Sequence, residues 1–265
     1  MKVVILHVCG IMFMILINKD EKMKILAIDT SNQPLSVAVL DDDHLLATKT
    51  MNISRNHSTT LMPVVAELLE DSHLDVADID RFVVAEGPGS YTGLRIGVTT
   101  AKVLASTLNK ELVGVSSLKN VAANIAPETD RVIVPYFDAR NLNVFAGAYQ
   151  WKDGQLVSVI EDQHISFKNL LAQLQDLHQP IMFVGPQKDG FAEMSAQVLG
   201  SQSTFASADF QLPQAAVLGR LGRTMDPVDI DFFVPQYRRL TQAELQWMEK
   251  HPEEKDRHAN YIEKV

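Results

Sequence analysis

Cysteine is almost absent from this chain, because Cys9 is the only one among its 265 residues. A single thiol excludes a disulfide framework and a thiolate metal cluster, and it offers no obvious Cys–His pair for nucleophilic catalysis. The composition fits the reducing cytosol, so we expect a cytoplasmic protein.

Basic residues are also in short supply. Lysine and arginine together number 24 against 33 aspartates and glutamates, which gives a net charge of −9. Because phosphate binding draws on clustered Lys and Arg, this balance disfavours a surface that coats nucleic acid. The hydrophobic content of 46% indicates a packed globular protein. The length is sufficient for two domains that share a cleft.

Residues 1–22 have the apolar character of a targeting segment without its other features. Val3 to Ile17 is almost wholly apolar behind Lys2, but no Ala-x-Ala-like cleavage site follows. A bilayer span also needs about 20 residues. Met23–Ala27 resembles a second start and opens directly into a predicted strand. We therefore expect residues 1–22 to be a non-native extension, from a mis-called start or an appended segment. A membrane or secretory signal and an extra packed strand are the alternatives.

The hydrophobic pattern repeats from residue 23 onward. Three short strands, a helix, a strand and a helix are predicted between residues 23 and 126, where a further strand and helix complete the first half. The same β-β-β-α-β-α order recurs between residues 127 and 240, and residues 241–265 form an amphipathic and charged tail. The pattern predicts a duplicated α/β fold with two lobes facing one another across a cleft.

The predicted elements have the following bounds. The strands of the first half are Ile25–Asp29, Ser36–Leu40, Leu45–Met51, Arg81–Ala85 and Glu111–Val115, and its helices are His57–Glu70, Gly93–Asn109 and Ser117–Ile125. The strands of the second half are Arg131–Phe137, Asn143–Trp151, Leu156–Ile160 and Ile181–Val184, and its helices are Lys168–Leu177, Phe191–Leu199 and Pro213–Met225.

Residues 86–97, EGPGSYTGLRIG, form a glycine-rich connection between a strand and a helix. Amides at a helix N-terminus can hold an anion, so this loop needs testing as a phosphate site. A P-loop is excluded because Leu94 and Arg95 follow Gly93 in place of the required Lys and Ser or Thr. A dinucleotide fingerprint is off register, since its third glycine falls on Thr92. Two interpretations remain: a turn that lets the helix pack closely, and a loop that contacts a ligand.

Several motifs together resemble one family. They are AIDTS at 27–31, His57-Ser58, GPGSYTGLRIG at 87–97, Ala101-Lys102, GVSSL at 114–118, Asp138-Ala139-Arg140 and a Pro-x-Tyr-x-Arg sequence that ends at Arg239. They are similar to those of TsaB proteins, the non-catalytic partners of the enzyme that attaches threonylcarbamoyl to the adenosine beside the tRNA anticodon. The family-motif residues in this chain are Asp29, Gly87, Pro88, Gly89, Ser90, Thr92 and Arg95. The resemblance covers nearly all of residues 24–239.

The resemblance implies a two-lobed actin-like or Hsp70-like (ASKHA) fold and a scaffold role without chemistry. Its main partner would be a TsaD-type catalytic paralogue, bound as a heterodimer, and the chain would pair with itself when that subunit is absent. A TsaE-type ATPase is a further candidate partner. ATP and metal would belong to the partner subunits, so no cofactor is expected here. Contact with tRNA would be indirect, and no membrane contact is expected.

The parts that such folds use to bind ATP and metal are altered in this sequence. The first hairpin keeps Asp29 but has no glycine at its tip, and Ala139 and Arg140 occupy the tip of the second. Pro186, which lacks an N–H group, follows the later glycine. Aligned on the family pattern, Ser117 and Val121 stand where the catalytic paralogue carries two metal-binding histidines. We therefore expect no autonomous ATP binding and no metal site.

Small residues recur every four positions on the helix that follows the glycine loop. They are Gly93, Gly97, Ala101 and Ala105, a ridge that lets another helix approach closely. The first helix offers Leu61, Val65 and Leu68. One face of each helix must pack on its own sheet. The resemblance nevertheless implies that these seven residues form the partner interface, in an intersubunit four-helix bundle.

Two other function classes remain as alternatives. The first is an active nucleotide-dependent enzyme, or a glycoprotease-type peptidase, of the actin-like superfamily. It would require glycine-tipped phosphate hairpins or a pair of metal ligands. The second is a direct RNA-binding module, which the net charge of −9 disfavours.

Overall fold

The computed structural model describes residues 2–8, 11–17, 22–52, 56–127, 129–187 and 190–239. Strands β1 (Lys2–Val8) and β2 (Ile11–Ile17) pair antiparallel in a two-stranded sheet of their own. The predicted amphipathic segment Thr241–Lys250 lies outside the described residues. None of the helices that the structure describes is both long and apolar enough to cross a membrane.

The first lobe is built on a five-stranded sheet. Its elements are β3 (Lys24–Asp29), β4 (Leu35–Asp41), β5 (His44–Met51), α1 (His57–Asp71), β6 (Arg81–Gly87), α2 (Tyr91–Leu108), β7 (Glu111–Ser116) and α3 (Ser117–Ala122). The strand order is β5-β4-β3-β6-β7. Strands β3 and β4 are antiparallel, as are β4 and β5, whereas β3, β6 and β7 run parallel. The helix α3 ends at Ala122, before the predicted Ile125.

The second lobe repeats this topology. Its elements are β8 (Val132–Asp138), β9 (Asn143–Lys152), β10 (Gln155–Ser166), α4 (Phe167–Gln175), β11 (Ile181–Val184), α5 (Phe191–Leu199) and β12 (Ser203–Phe205), after which comes α6 (Ala215–Arg223). The strand order is β10-β9-β8-β11-β12, with the same pattern of antiparallel and parallel pairs. The duplicated, two-lobed actin-like fold predicted from the sequence is therefore confirmed. Strand β12 was not predicted, because three residues are too few to show a period.

Two helical layers cover the two faces of the first sheet. Side chains of one alternate set, such as Leu26 and Phe82, pack against α1 and α2. The other set, including Ala27 and Val83, packs against α6. This alternation follows from the two-residue period of a strand. The helix α6 therefore lies across the sheet from α1 and α2.

The chain returns to the first lobe after β12. The amide of Ala215 in α6 donates to the hydroxyl of Ser36 in β4, at 2.9 Å. The segment that follows, residues 225–239, is here called the C-terminal strap, and it runs along the same lobe. The Val228 amide donates to the Leu112 carbonyl, and Phe233 is buried in the core beneath α2. The predicted extent of the second lobe, residues 127–240, is therefore too long at its C-terminal end.

Candidate partner-binding face and interlobe cleft

The glycine-rich loop packs against the tip of the first hairpin. The Ser90 amide donates to the Ser31 carbonyl at 2.7 Å, and the Thr30 hydroxyl donates to the Gly93 carbonyl at 2.8 Å. A β-carbon at Gly89 or Gly93 would collide with the carbonyl oxygens of Ser31 and Thr30. These contacts favour the interpretation as a turn that permits close packing.

The remaining residues of the family motif border this loop. Ser90 caps α2, because its side chain accepts a hydrogen bond from the Gly93 amide. Pro88 is buried, whereas Thr92 and Arg95 are exposed on the first turns of α2. The Arg95 guanidinium lies 5.5 Å from the centre of the Tyr91 ring.

Asp29 is completely buried and fully engaged inside the protein. One carboxylate oxygen accepts from the amide and the hydroxyl of Ser31, and the other accepts from the Asn120 side-chain amide at 2.8 Å. Burial raises the pKa of Asp29, while these hydrogen bonds oppose the rise. The carboxylate therefore supports the hairpin and the start of α3 rather than facing an open cleft.

The two places aligned with metal-binding histidines are also buried. Ser117 and Val121 are almost completely inaccessible, and Val121 packs into an apolar cluster with Leu118 and Ile133. Within the described ranges, no three His, Cys, Asp or Glu side chains are grouped closely enough to hold a metal ion. The residues at these two places do not fit a metal site, since valine has no ligand atom.

The hairpin of the second lobe is closed by its own hydrogen bonds. The Arg140 amide donates to the Asp138 carboxylate at 2.8 Å, and the Ala139 amide donates to the Asn143 carbonyl at 2.9 Å. Arg140 and Asn141 adopt positive φ angles of 69° and 52°. The amides that would hold a phosphate in a nucleotide-binding relative are therefore used within the turn.

A cleft of about 570 Å³ separates the two hairpin tips. It is lined by residues of both lobes and the strap, including Asn32, Ser90, Asp138, Arg140 and Arg239. The rings of Tyr91 and Tyr237 close one side, with centroids 4.7 Å apart. The later glycine, Gly185, serves packing, because a β-carbon there would lie 2.6 Å from the Tyr136 ring.

A pair of half-buried carboxyl groups, Glu86 and Asp162, lies at the junction of the lobes. Asp162 in β10 accepts hydrogen bonds from Ser116 in the first lobe and from Tyr149 in the second, both at 2.5 Å. Burial raises the pKa of Asp162, and burial together with the Asp162 charge raises the pKa of Glu86. Sequence reasoning missed this cluster, since no motif connects residues so far apart in the chain.

The predicted interface stripes face inward. Leu61, Val65 and Leu68 on α1 and Ala101 and Ala105 on α2 belong to the core between these helices and their own sheet. Gly93 and Gly97 are buried as well, and their Cα atoms face Thr30. The expectation that these seven residues are available to a partner is wrong for the isolated chain. Small side chains at this spacing let α2 lie close to β3 and β6 instead.

The opposite surfaces of α1 and α2 form what is here called the outer helical face. It consists of Met62 and Ala66 on α1 and Arg95, Thr99 and Val103 on α2, all of them exposed. Met62 is 45% exposed and Val103 is 57% exposed. A groove of about 450 Å³ runs between the two helices beside Met62, Ala66 and Leu104. Sequence reasoning missed this face because it mixes polar and apolar residues and forms no apolar stripe.

The strap borders the outer helical face on the far side of α2. The Lys102 ammonium donates to the carbonyls of Asp231 and Phe233, at 3.4 and 2.7 Å. Phe233 points into the core, and Phe232 between the two carbonyls is 76% exposed. Lys102 therefore fixes the strap against α2.

This arrangement defines a class of proteins. Two lobes with the same five-stranded topology, joined across a cleft at their hairpin tips, constitute the actin-like fold. A solved structure from Pseudomonas aeruginosa, an uncharacterized protein with similarity to the peptidase YeaZ, shares it with a TM-score of 0.70 and 24% identity. The match covers 82% of this chain and all of that one.

The sequence comparisons identify the family. The chain is 40% identical to the tRNA threonylcarbamoyladenosine biosynthesis protein TsaB of Bacillus subtilis over 227 residues, which is 86% of this chain and 99% of that protein. It is 33% identical to TsaB of Escherichia coli over 129 residues, 48% of this chain and 55% of that protein. A family model for TsaD, tRNA N6-adenosine threonylcarbamoyltransferase, matches residues 47–247. The chain belongs to the TsaB family, as the motifs predicted.

Proposed function

We propose that this protein is a non-catalytic accessory subunit in the formation of threonylcarbamoyladenosine in tRNA. It acts in the cytoplasm by binding and activating a TsaD-type catalytic subunit. The relationship to proteins named for this biosynthesis supports the pathway. The observation that carries the accessory role is the state of the phosphate hairpins, whose polar groups are bonded within the protein.

Both hairpins contribute to this argument. Asp29 is paired with Ser31 and Asn120, so its carboxylate is not directed toward a nucleotide. The amides of Ala139 and Arg140 are satisfied by Asn143 and Asp138. Opening either turn to accept phosphate would leave buried or strained groups without their partners, which costs free energy. In the proposed role, the chain supports the active site of a partner subunit.

The outer helical face is the surface that we propose for the partner. It is exposed, it combines two helices side by side, and it carries the apolar groups Met62 and Val103 beside the polar residues Arg95 and Thr99. Apolar anchors within a more polar surround are typical of protein interfaces. We still propose a four-helix bundle across this face. Its contacts are made by the exposed residues of α1 and α2, since the buried stripes pack on the sheet. The same face would join two copies of the chain when the catalytic subunit is absent.

The charge of the chain bears on how tRNA takes part. With a net charge of −9, the surface is poorly suited to hold a phosphate backbone. We propose that tRNA is bound by the catalytic subunit, so this chain affects it indirectly. A TsaE-type ATPase is proposed as a further component of the complex.

Reconstitution tests the proposed function. Threonylcarbamoyladenosine in unmodified tRNA is measured by nucleoside mass spectrometry, with the host's catalytic subunit and the other pathway proteins, in the presence and absence of the full chain. We expect product only when both subunits are present, and no ATP turnover or peptide hydrolysis by the chain alone. Equal product without the chain would contradict the accessory role. Turnover by the chain alone would instead support a nucleotide-dependent enzyme or a peptidase.

A further inference from the structure

A further cavity lies at the junction of the lobes, away from the interlobe cleft. Its volume is about 700 Å³, and it is bounded by α3, α6 and the β9–β10 hairpin. This junction cavity is in the size range of small-molecule sites, which often form where two domains meet. Because α6 covers the opposite side of the first sheet from α1 and α2, the cavity is separate from the outer helical face.

The charges around the junction cavity are all of one sign. Lys119 on α3 and Arg220 on α6 are the charged residues among those that line it, and no carboxylate does. A cavity lined by basic residues alone is unusual in a chain in which 33 acidic residues outnumber 24 basic ones. The potential inside such a concave, one-signed site attracts an anion.

Neither cation is neutralised by a carboxylate that the structure describes. Lys119 forms no ion pair within the described ranges, and Arg220 donates its Nε–H to the Asp43 carbonyl at 3.2 Å. The Asp43 carboxylate is bound to Arg223 instead, at 2.9 Å. The ammonium of Lys119 and the terminal nitrogens of Arg220 thus retain donors for an anion.

The carbonyl groups at the end of α6 do not oppose an anion in the cavity. These groups carry the negative end of the helix dipole. The Arg81 guanidinium donates to the carbonyls of Gly222, Arg223 and Met225, at 2.9, 2.7 and 3.0 Å. Arg81 thereby compensates the negative end of the α6 dipole.

The remaining walls combine aromatic and aliphatic side chains with the neutral polar residues Gln155, Ser158 and Thr224. The Trp151 indole donates its N–H to the Ile125 carbonyl at 2.9 Å, which fixes the ring at the edge of the cavity. Leu156 and Val157 on β10 and Val217 and Leu221 on α6 also line the cavity. A flat apolar group can pack on such walls while an attached anion reaches the two cations.

We propose that the junction cavity binds a small organic anion with a flat aromatic body. Lys119 and Arg220 hold the anionic group, and Trp151 and the aliphatic walls hold the aromatic part. The site is independent of the partner-binding face, so its occupancy is a property of the chain alone.

Isothermal titration calorimetry on the full chain tests the proposal with 1-naphthyl phosphate as the probe. We expect saturable binding of one molecule per chain. 1-Naphthol, which lacks the anion, and inorganic phosphate, which lacks the aromatic body, should each bind at least about tenfold more weakly, or about 1.4 kcal/mol. Added salt should weaken the binding of 1-naphthyl phosphate.

Variants assign the binding to the cavity. Lys119→Gln and Arg220→Gln should each lower the affinity about fivefold or more, since each removes a charge-assisted hydrogen bond. Lys168→Gln, at an exposed position of α4 in the second lobe, makes the same change in net charge and should have no effect. Val157→Glu should abolish binding by placing a carboxylate in the cavity.

Three outcomes would overturn the proposal. They are no saturable binding of 1-naphthyl phosphate at millimolar concentrations, equal affinity for 1-naphthol, and full affinity in both glutamine variants. If a variant fails to fold, the effect of salt on 1-naphthyl phosphate binding by the unmodified chain still tests the proposal. Binding that does not weaken with added salt would also contradict it. Binding to the catalytic partner should be unchanged in Lys119→Gln, so failure here is distinguishable from failure of the proposed function.

Discussion

Gly97 in α2 lies directly against Thr30, the residue that follows β3, and a β-carbon at residue 97 would collide with the Thr30 hydroxyl. The same hydroxyl donates to the Gly93 carbonyl one turn earlier, at 2.8 Å. The small residues of α2 are therefore required for its approach to its own sheet. Any test of the partner interface has to separate this internal role from contacts with another chain.

Ala101→Leu should destabilise the isolated subunit. Ala101 is 0% exposed, so the added atoms must enter a filled core. Overpacking of this kind costs about 1–3 kcal/mol. The measurement is the free energy of unfolding in urea. Ser106→Leu, on the exposed side of the same helix, is the matched control and should change it little. An unchanged free energy for Ala101→Leu would show that α2 does not pack as described.

Leu68→Glu should disrupt folding, whereas Met62→Glu should weaken partner binding and leave the fold intact. Leu68 is buried in the core, so a carboxylate there would lose its hydration without a partner and unfold much of the protein. Met62 is exposed, so Met62→Glu should keep the thermal midpoint and weaken binding to the catalytic subunit. Comparable midpoints for the two variants would contradict the assignment of inner and outer faces on α1.

Glu86→Gln should stabilise the protein at high pH. Burial raises the pKa of Glu86, so the folded chain retains this proton to a higher pH than the unfolded chain. The contribution of Glu86 to stability is complete below the ordinary carboxyl pKa of about 4 and is lost as pH rises through the raised pKa. Glutamine stays neutral. The free energy of unfolding of the variant should therefore rise relative to that of the original chain as pH increases through that window.

Urea unfolding at several pH values measures this difference. Asp162 and Arg238 also act on Glu86, the first raising its pKa and the second lowering it, but both are present in the two proteins. A stability difference that is constant with pH, or that is largest in acid, would show that Glu86 is ionised without penalty in the folded chain.

The isolated chain should bind neither metal nor ATP. With Ser117 and Val121 in the aligned ligand places, we expect no stoichiometric zinc or iron by elemental analysis. Calorimetry should detect no ATP affinity below the millimolar range. Restoring histidine at residues 117 and 121 should create no activity, because the second hairpin still lacks its glycines. One-to-one ATP binding at micromolar concentration would refute the account of the closed hairpins.

The sequence predicted the duplicated topology well because alternating apolar runs mark strands that are buried in place. It could not decide which way the small-residue stripe of α2 faces. The four-residue spacing of the small residues from Gly93 to Ala105 indicates close packing, but a sheet and a foreign helix satisfy it equally. Only the position of β3 beside α2 resolves the choice.

The other features that the sequence did not predict depend on long-range contacts. The return of α6 to the first lobe joins Ala215 to Ser36, and no local pattern encodes that pairing. The hydrogen bonds of Asp162 to Ser116 and Tyr149 likewise unite both lobes. Buried polar clusters of this kind arise from tertiary packing, so hydrophobic periodicity carries no signal for them.

The affinity of Val103→Glu for the host's catalytic subunit tests the central claim most directly. Val103 is 57% exposed on the outer helical face, so the substitution should leave the thermal midpoint of the isolated chain unchanged. Burying an unpaired carboxylate in the complex should raise the dissociation constant at least about tenfold, or about 1.4 kcal/mol. The charge-matched control is Gln173→Glu on α4, which should retain full affinity. Full affinity for the catalytic subunit in Val103→Glu, with the fold intact, would contradict the proposed role of this face.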